Sequence, residues 1–121
     1  MTRFRPAERI RQRAEFQTIY ERGSRLQSRY FTIFILANEL GRGRLGIAAT
    51  RKLGGAVDRN RAKRLIREVF RRNKPTRGVD IVVVPKRGLL DASLTVLERE
   101  YNTVVERQLG RANRVGIAPR L

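Results

Sequence analysis

The sequence contains no cysteine, no histidine and no tryptophan. Without thiols or imidazoles, disulfides, thiol nucleophiles, Cys/His zinc sites and Ser-His-Asp chemistry are all excluded. No side chain is then expected to switch charge near neutral pH. Acidic residues are few, 11 against 28 Lys+Arg, which leaves a formal net charge of +17. No apolar run approaches the ~18–20 residues of a membrane span. Met1 to Pro6 lead into a charged segment, so no secretory leader is expected and the chain reads as cytoplasmic.

What is present is enough for a folded domain. The 121 residues are 40% hydrophobic and 32% charged, against about 25% charged in an ordinary globular chain. A chain of this length buries roughly 65–70% of its unfolded surface in one core. One domain is expected over residues 1–121, with a core at about 7–109 and a short tail at 110–121. A net charge of +17 self-repels unless a polyanion neutralises it. Nucleic acid is the first inference; a ribosomal or chromatin-type role, or an anionic membrane surface, fits the total equally.

The charge is unevenly placed. Residues 1–50 hold 10 Arg against 4 acids, a net of +6. Residues 51–88 hold 9 Arg and 4 Lys against 3 acids, a net of +10, and residues 89–121 hold 5 Arg against 4 acids, a net of +1. The excess therefore sits in the middle of the chain and not in a basic tail.

Periodicity predicts an α+β two-layer sandwich of order α-β-β-α-β-α. A helix is expected over 7–22, with Phe16, Ile19 and Tyr20 at i, i+3, i+4 and Gly23 as its stop. Residues 30–37 form a β-branched and aromatic strand. It is apolar on both faces: Phe31, Ile33 and Ile35 on one, Tyr30, Phe34 and Leu36 on the other. A turn at 38–43 and a strand at 44–50 would complete a hairpin. From Val57 to about Asn73 the pattern Ala62, Leu65, Ile66, Val69, Phe70 marks a strong amphipathic helix. A buried strand follows at 79–84. Asp91 or Ser93 would cap a last helix faced by Leu94, Leu97, Tyr101, Val104 and Leu109.

The middle helix carries the charge. At about 100° per residue, Asn60, Lys63, Arg64, Arg67 and Arg71 share one sector opposite the apolar stripe, with Arg61 and Arg72 beside it. Upstream, Arg51 and Lys52 end a strand, and Gly54-Gly55 lets the backbone turn before the helix starts, a geometry suited to phosphate. Polar helix faces usually mix signs, because like charges at i,i+4 cost about 0.2–0.5 kcal/mol. Here Glu68 is the one acid after Asp58, which favours binding over solvation. A DNA-reading helix would follow another helix and offer groups that discriminate base edges. This one follows a strand and offers mostly phosphate-type cations, which favours structured RNA. Asp58, Glu68 and Asp80 are too scattered for a protein-borne two-metal site.

The run Thr50-Arg51-Lys52-Leu53-Gly54-Gly55-Ala56-Val57-Asp58-Arg59-Asn60-Arg61-Ala62-Lys63-Arg64-Leu65-Ile66-Arg67-Glu68-Val69-Phe70-Arg71 resembles the signature of the bacterial ribonuclease P protein subunit. Glu15-Phe16-Gln17 with Tyr20 and Arg22-Gly23, and Asp80 to Val84, resemble that family's first helix and last strand. The likeness spans about residues 13–109. Thr50 and Arg51 stand where the family commonly has Ser and Lys. The resemblance implies a protein cofactor of a ribozyme that removes the 5′ leader of precursor tRNA, an endonucleolytic hydrolysis using magnesium held mainly by the RNA subunit. No catalytic side chain is then expected in this chain. It further implies one monomer per ribonuclease P RNA, no membrane partner, and a ribosomal-protein-like fold with a left-handed β-α-β crossover. Arg51, Lys52, Arg59, Asn60, Arg61, Lys63, Arg64 and Arg67 would contact the RNA subunit. Phe16, Tyr20 and Phe34 would line a cleft for the single-stranded leader, where stacking is worth ~1–3 kcal/mol per base and tolerates any sequence. A ribosomal or RNA-chaperone protein would need the basic helix without that cleft. A membrane-surface protein would need a helix with a free apolar face.

Overall fold

The computed structural model describes residues 4–75 and 77–114, with side chains placed to residue 109. A 3-10 turn at Pro6–Glu8 precedes α1 (Arg13–Arg22), β1 (Ser24–Gln27), β2 (Phe31–Ala37), β3 (Arg44–Ile47), α2 (Ala56–Arg72) and β4 (Val79–Pro85). A second 3-10 turn at Arg87–Asp91 leads into α3 (Leu94–Arg114). Three helices and a small mixed sheet make the expected α+β architecture. Ser93 is the cap of α3: its Oγ accepts the N–H of Val96 at 3.2 Å.

The sheet runs β1-β2-β4-β3, antiparallel except for the parallel pair β3/β4. The expected hairpin of residues 30–37 with 44–50 is not formed. The turn reverses the chain, but β4 lies between the two strands. Six of the seven β4 residues are buried, Val84 being half-buried. A strand apolar on both faces gains most at the centre of a sheet, at about 1.5–3 kcal/mol per fully buried aliphatic side chain. Polar groups enforce the order. The Arg44 Nε and Nη2 groups donate to the two Asp80 carboxylate oxygens at 2.9 Å each. Asn38 Nδ2 donates to Asp80 Oδ1 at 2.7 Å.

The fourth strand, β1, was not expected. Its sequence Ser-Arg-Leu-Gln has one apolar residue, and as an edge strand it needs no more. The first helix begins at Arg13, later than residue 7. Residues ahead of it instead run along the sheet edge, where Ile10 N–H donates to the Leu45 carbonyl at 2.9 Å and Arg9 bridges Leu45. That tertiary pairing overrides the local helical pattern. Gly23 does end α1, though with φ −79° and not in the left-handed region. A Cβ there would stand 2.7 Å from the Ile19 carbonyl oxygen and 3.0 Å from that of Ile35. Close approach, not φ, requires glycine.

Apolar side chains form two clusters, one on each face of the sheet. Phe31, Ile33, Ile35, Ile81 and Val83 face Ala62, Ile66, Val69 and Phe70 of α2 and Leu97, Tyr101 and Val104 of α3. Val82, Phe34, Leu36 and Val84 face Ile19 and Phe16 of α1, together with Ile10. α1 thus adds a layer that the expected two-layer sandwich did not include. Tyr30, expected beside Phe34, packs with the first cluster. Of the expected tail, residues 110–114 continue α3 and residues 115–121 lie outside the described residues.

The third guanidinium nitrogen of Arg44, Nη1, donates to Glu15 Oε2 of α1 at 3.0 Å. The Asp80 hydrogen bonds, and then those of Glu15, raise the Arg44 pKa further above its ordinary value. Arg44 and Asp80 side chains are 15% and 9% exposed, so removing Asp80 takes from a largely buried Arg44 its bidentate partner and leaves it the more exposed Glu15. Asp80→Ala is expected to cost about 3–5 kcal/mol in urea denaturation. The double variant Arg44→Met/Asp80→Leu should lose less than the sum of the two single variants, and an additive loss would show that the pair is not coupled.

Candidate nucleic-acid interface

The start of α2 is built from a tight turn. The N–H groups of Leu53 and Gly54 donate to the carbonyls of Thr50 and Arg51 at 3.0 and 3.2 Å. Leu53 is buried, which pins the loop to the core and leaves Arg51 and Lys52 exposed beside the helix N-terminus. Gly54 has φ +146°, and a Cβ there would collide with the Asp58 side chain. Asp58 sits in the first turn of α2 and Arg71 and Arg72 in the last, each favourable to the helix dipole.

The predicted cations are not all equivalent. Arg61, Arg64, Arg67 and Asn60 are exposed, whereas Arg59 and Lys63 are half-buried. Arg59 is turned back on the loop, its Nη1 donating to the Gly54 carbonyl at 3.0 Å. Arg71 and Arg72 both donate to Glu68. Hydrogen bonding from Arg71, ahead of that from Arg72, keeps the Glu68 carboxyl below its ordinary value. The outward cations of α2 thus concentrate at 61–67, next to Arg51 and Lys52.

On the other face of the sheet, Phe16, Tyr20 and Phe34 meet. Tyr20 packs edge-on to Phe34 with centroids 5.0 Å apart, and Phe16 lies 6.3 Å from Tyr20. Phe16 and Phe34 are half-buried over Ile10, Ile19 and Val82. Tyr20 is 39% exposed at the rim, and partial burial raises its pKa. Gly46 of β3 makes the seat for Phe16: a Cβ there would stand 2.8 Å from the ring Cζ and 3.1 Å from Ile10 Cβ. A glycine inside a short strand is the signal that marks such a close approach. Val57 is 82% exposed at the first turn of α2.

The basic and aromatic sets therefore lie on opposite faces of one sheet. Among the described residues, no three Asp or Glu side chains gather as a metal site, and no helix is long and apolar enough to cross a membrane. Of the three carboxylates weighed for a metal, Asp80 is engaged by Arg44 and Glu68 by Arg71 and Arg72.

The Ribonuclease P family model matches residues 4–109. The Ribonuclease P protein component of Thermotoga maritima is 40% identical over 114 residues, spanning 93% of this chain and 95% of that protein. That of Syntrophus aciditrophicus is 39% identical over 104 residues, spanning 84% and 87%. Among solved structures, the Thermotoga maritima RNase P protein superposes with a TM-score of 0.74 at 36% identity, covering 83% of this chain and 96% of that one. The Staphylococcus aureus RNase P protein gives 0.74 at 34%, covering 84% and 94%. With the match spanning the helix, the sheet and both candidate surfaces, the chain belongs to the Ribonuclease P family.

Proposed function

We propose that this chain is the protein subunit of a cytoplasmic ribonuclease P, one copy per RNA, and that it binds both the catalytic RNA and the 5′ leader of precursor tRNA. Family membership supports the assembly. The observation that carries the division of labour is the aromatic trio. Phe16, Tyr20 and Phe34 come from two elements and form one partly open cluster, on the sheet face away from the basic helix. Exposed aromatic faces stack unpaired bases without regard to sequence, as a protein serving many leaders requires. Arg61, Arg64 and Arg67, with Arg51 and Lys52, dock the RNA subunit through phosphates. Arg59 acts mainly by holding the Gly54 turn. Hydrolysis belongs to the RNA and its magnesium ions. The protein lowers phosphate repulsion where catalytic RNA and substrate meet.

Adding the protein to the RNA subunit at low magnesium is expected to raise precursor cleavage, and no gain would sink this reading. Arg61→Ala with Arg64→Ala should lower the log–log salt slope of RNA-subunit binding by roughly one unit per lost phosphate. An unchanged slope would move the docking surface elsewhere. Tyr20→Ala should weaken holoenzyme binding of leader-bearing precursor by about 1–3 kcal/mol, with mature tRNA unaffected. Phe16→Ala should behave likewise, and equal losses for both ligands would make these residues packing groups only.

A further inference from the structure

The segment ahead of α1 is a strap across the edge of β3. Its Phe4 ring packs edge-on against Phe70, with centroids 5.5 Å apart. Glu8 Oε1 accepts from the Arg5 N–H at 2.8 Å and from Lys74 Nζ at 3.0 Å. Ile10 is tied to Leu45 by the backbone bond already described. Between this strap and α2 lies a hollow of about 190 Å³, floored by Leu45 and Ile47, into which Arg9 and Arg11 face Lys63 and Arg67.

Three properties of the hollow point to one ligand. Four cations converge on it and no carboxylate lines it. Among the described residues, none of the four forms an ion pair. The Arg9 guanidinium lies 4.8 Å from the Phe4 ring centre, and its Nε is sealed from solvent without a hydrogen-bond partner. Neighbouring positive charges held in one hollow repel, and an oxyanion relieves the repulsion while accepting their N–H groups. The floor is aliphatic and Arg9 covers the Phe4 face, so no ring is free to stack a base. Guanidinium forks around an oxyanion suit a phosphodiester.

We infer that the hollow between the strap and α2 seats one backbone phosphate of RNA, with Arg9 and Arg11 as binding residues alongside Lys63 and Arg67. The inference rests on the proposed RNA-binding role and extends it to a segment outside the basic helix. Its position gives it a use. Ile10 belongs to the cluster beneath Phe16, while Lys63 and Arg67 belong to α2, so the phosphate sits where the two surfaces meet at the β3 edge. It is supplied either by the RNA subunit or by the precursor leader.

Salt titrations of Arg9→Gln/Arg11→Gln separate the two sources. Arg11→Gln alone changes an exposed side chain and keeps the Arg9–Phe4 contact, so it provides a variant with an undisturbed fold. A slope lower by about one unit in binding of the RNA-subunit transcript supports a phosphate of that RNA. A loss confined to holoenzyme binding of precursor tRNA, with mature tRNA unchanged, supports a leader phosphate. Unchanged slopes in both titrations overturn the inference. If Arg61→Ala/Arg64→Ala still lowers the RNA-subunit slope, the helix reading survives that failure. If the unsubstituted chain binds neither RNA, both fall together.

Discussion

The Asp80 carboxylate organises the molecule. It is buried, and it faces Arg44, which in turn reaches Glu15 of α1. One guanidinium thereby couples an edge strand, the central strand and a helix. The fork is worth having because the alternative is a stranded charge inside the fold. It sets β3 alongside β4 in parallel register, and a parallel pair needs a long crossover, here α2 itself. The same ion network holds α1 down over the sheet, where its aromatic side chains meet Phe34. Both candidate surfaces are therefore placed by a polar contact that belongs to neither.

Charge and packing are divided between the two sides of α2. Ala62, Ile66, Val69 and Phe70 are buried against the sheet and α3, and this burial holds the helix together despite its crowded cations. Glu68 relieves the crowding at the C-terminal end by engaging Arg71 and Arg72. Among the described residues no acid pairs with positions 61–67, and that is where the outward cations are concentrated. The asymmetry turns a uniformly basic sequence into a localised surface.

How much could be read from the sequence depends on how local the cause is. α2 was legible almost to the residue, because a wide stripe of period 3.6 and a glycine turn are local signals. So was β4, whose unbroken apolar run means burial on both faces. The hairpin failed because β2 and β3 are separated by a strand that arrives more than thirty residues later. β1 was missed because an edge strand with only Leu26 to bury has no apolar pattern. The early start given to α1 was a plausible helical pattern defeated by the Ile10–Leu45 bond. In the candidate site, the i,i+4 spacing of Phe16 and Tyr20 put them on one side of a helix. That Phe34 would face them, and not the larger cluster, came from resemblance and not from periodicity. Arg9 and Arg11 escaped notice because nothing local distinguishes them from other arginines.

Helices on both faces also make the molecule thick. Between the cations of α2 and the rings on α1 stand a sheet and two layer spacings of about 10 Å each. No single RNA helix can lie flat against both. On the proposed reading the protein is a ruler: it keeps the docked catalytic RNA and the unpaired substrate strand a fixed distance apart, and any strand touching both must pass around the sheet, whose edges are β1 and β3.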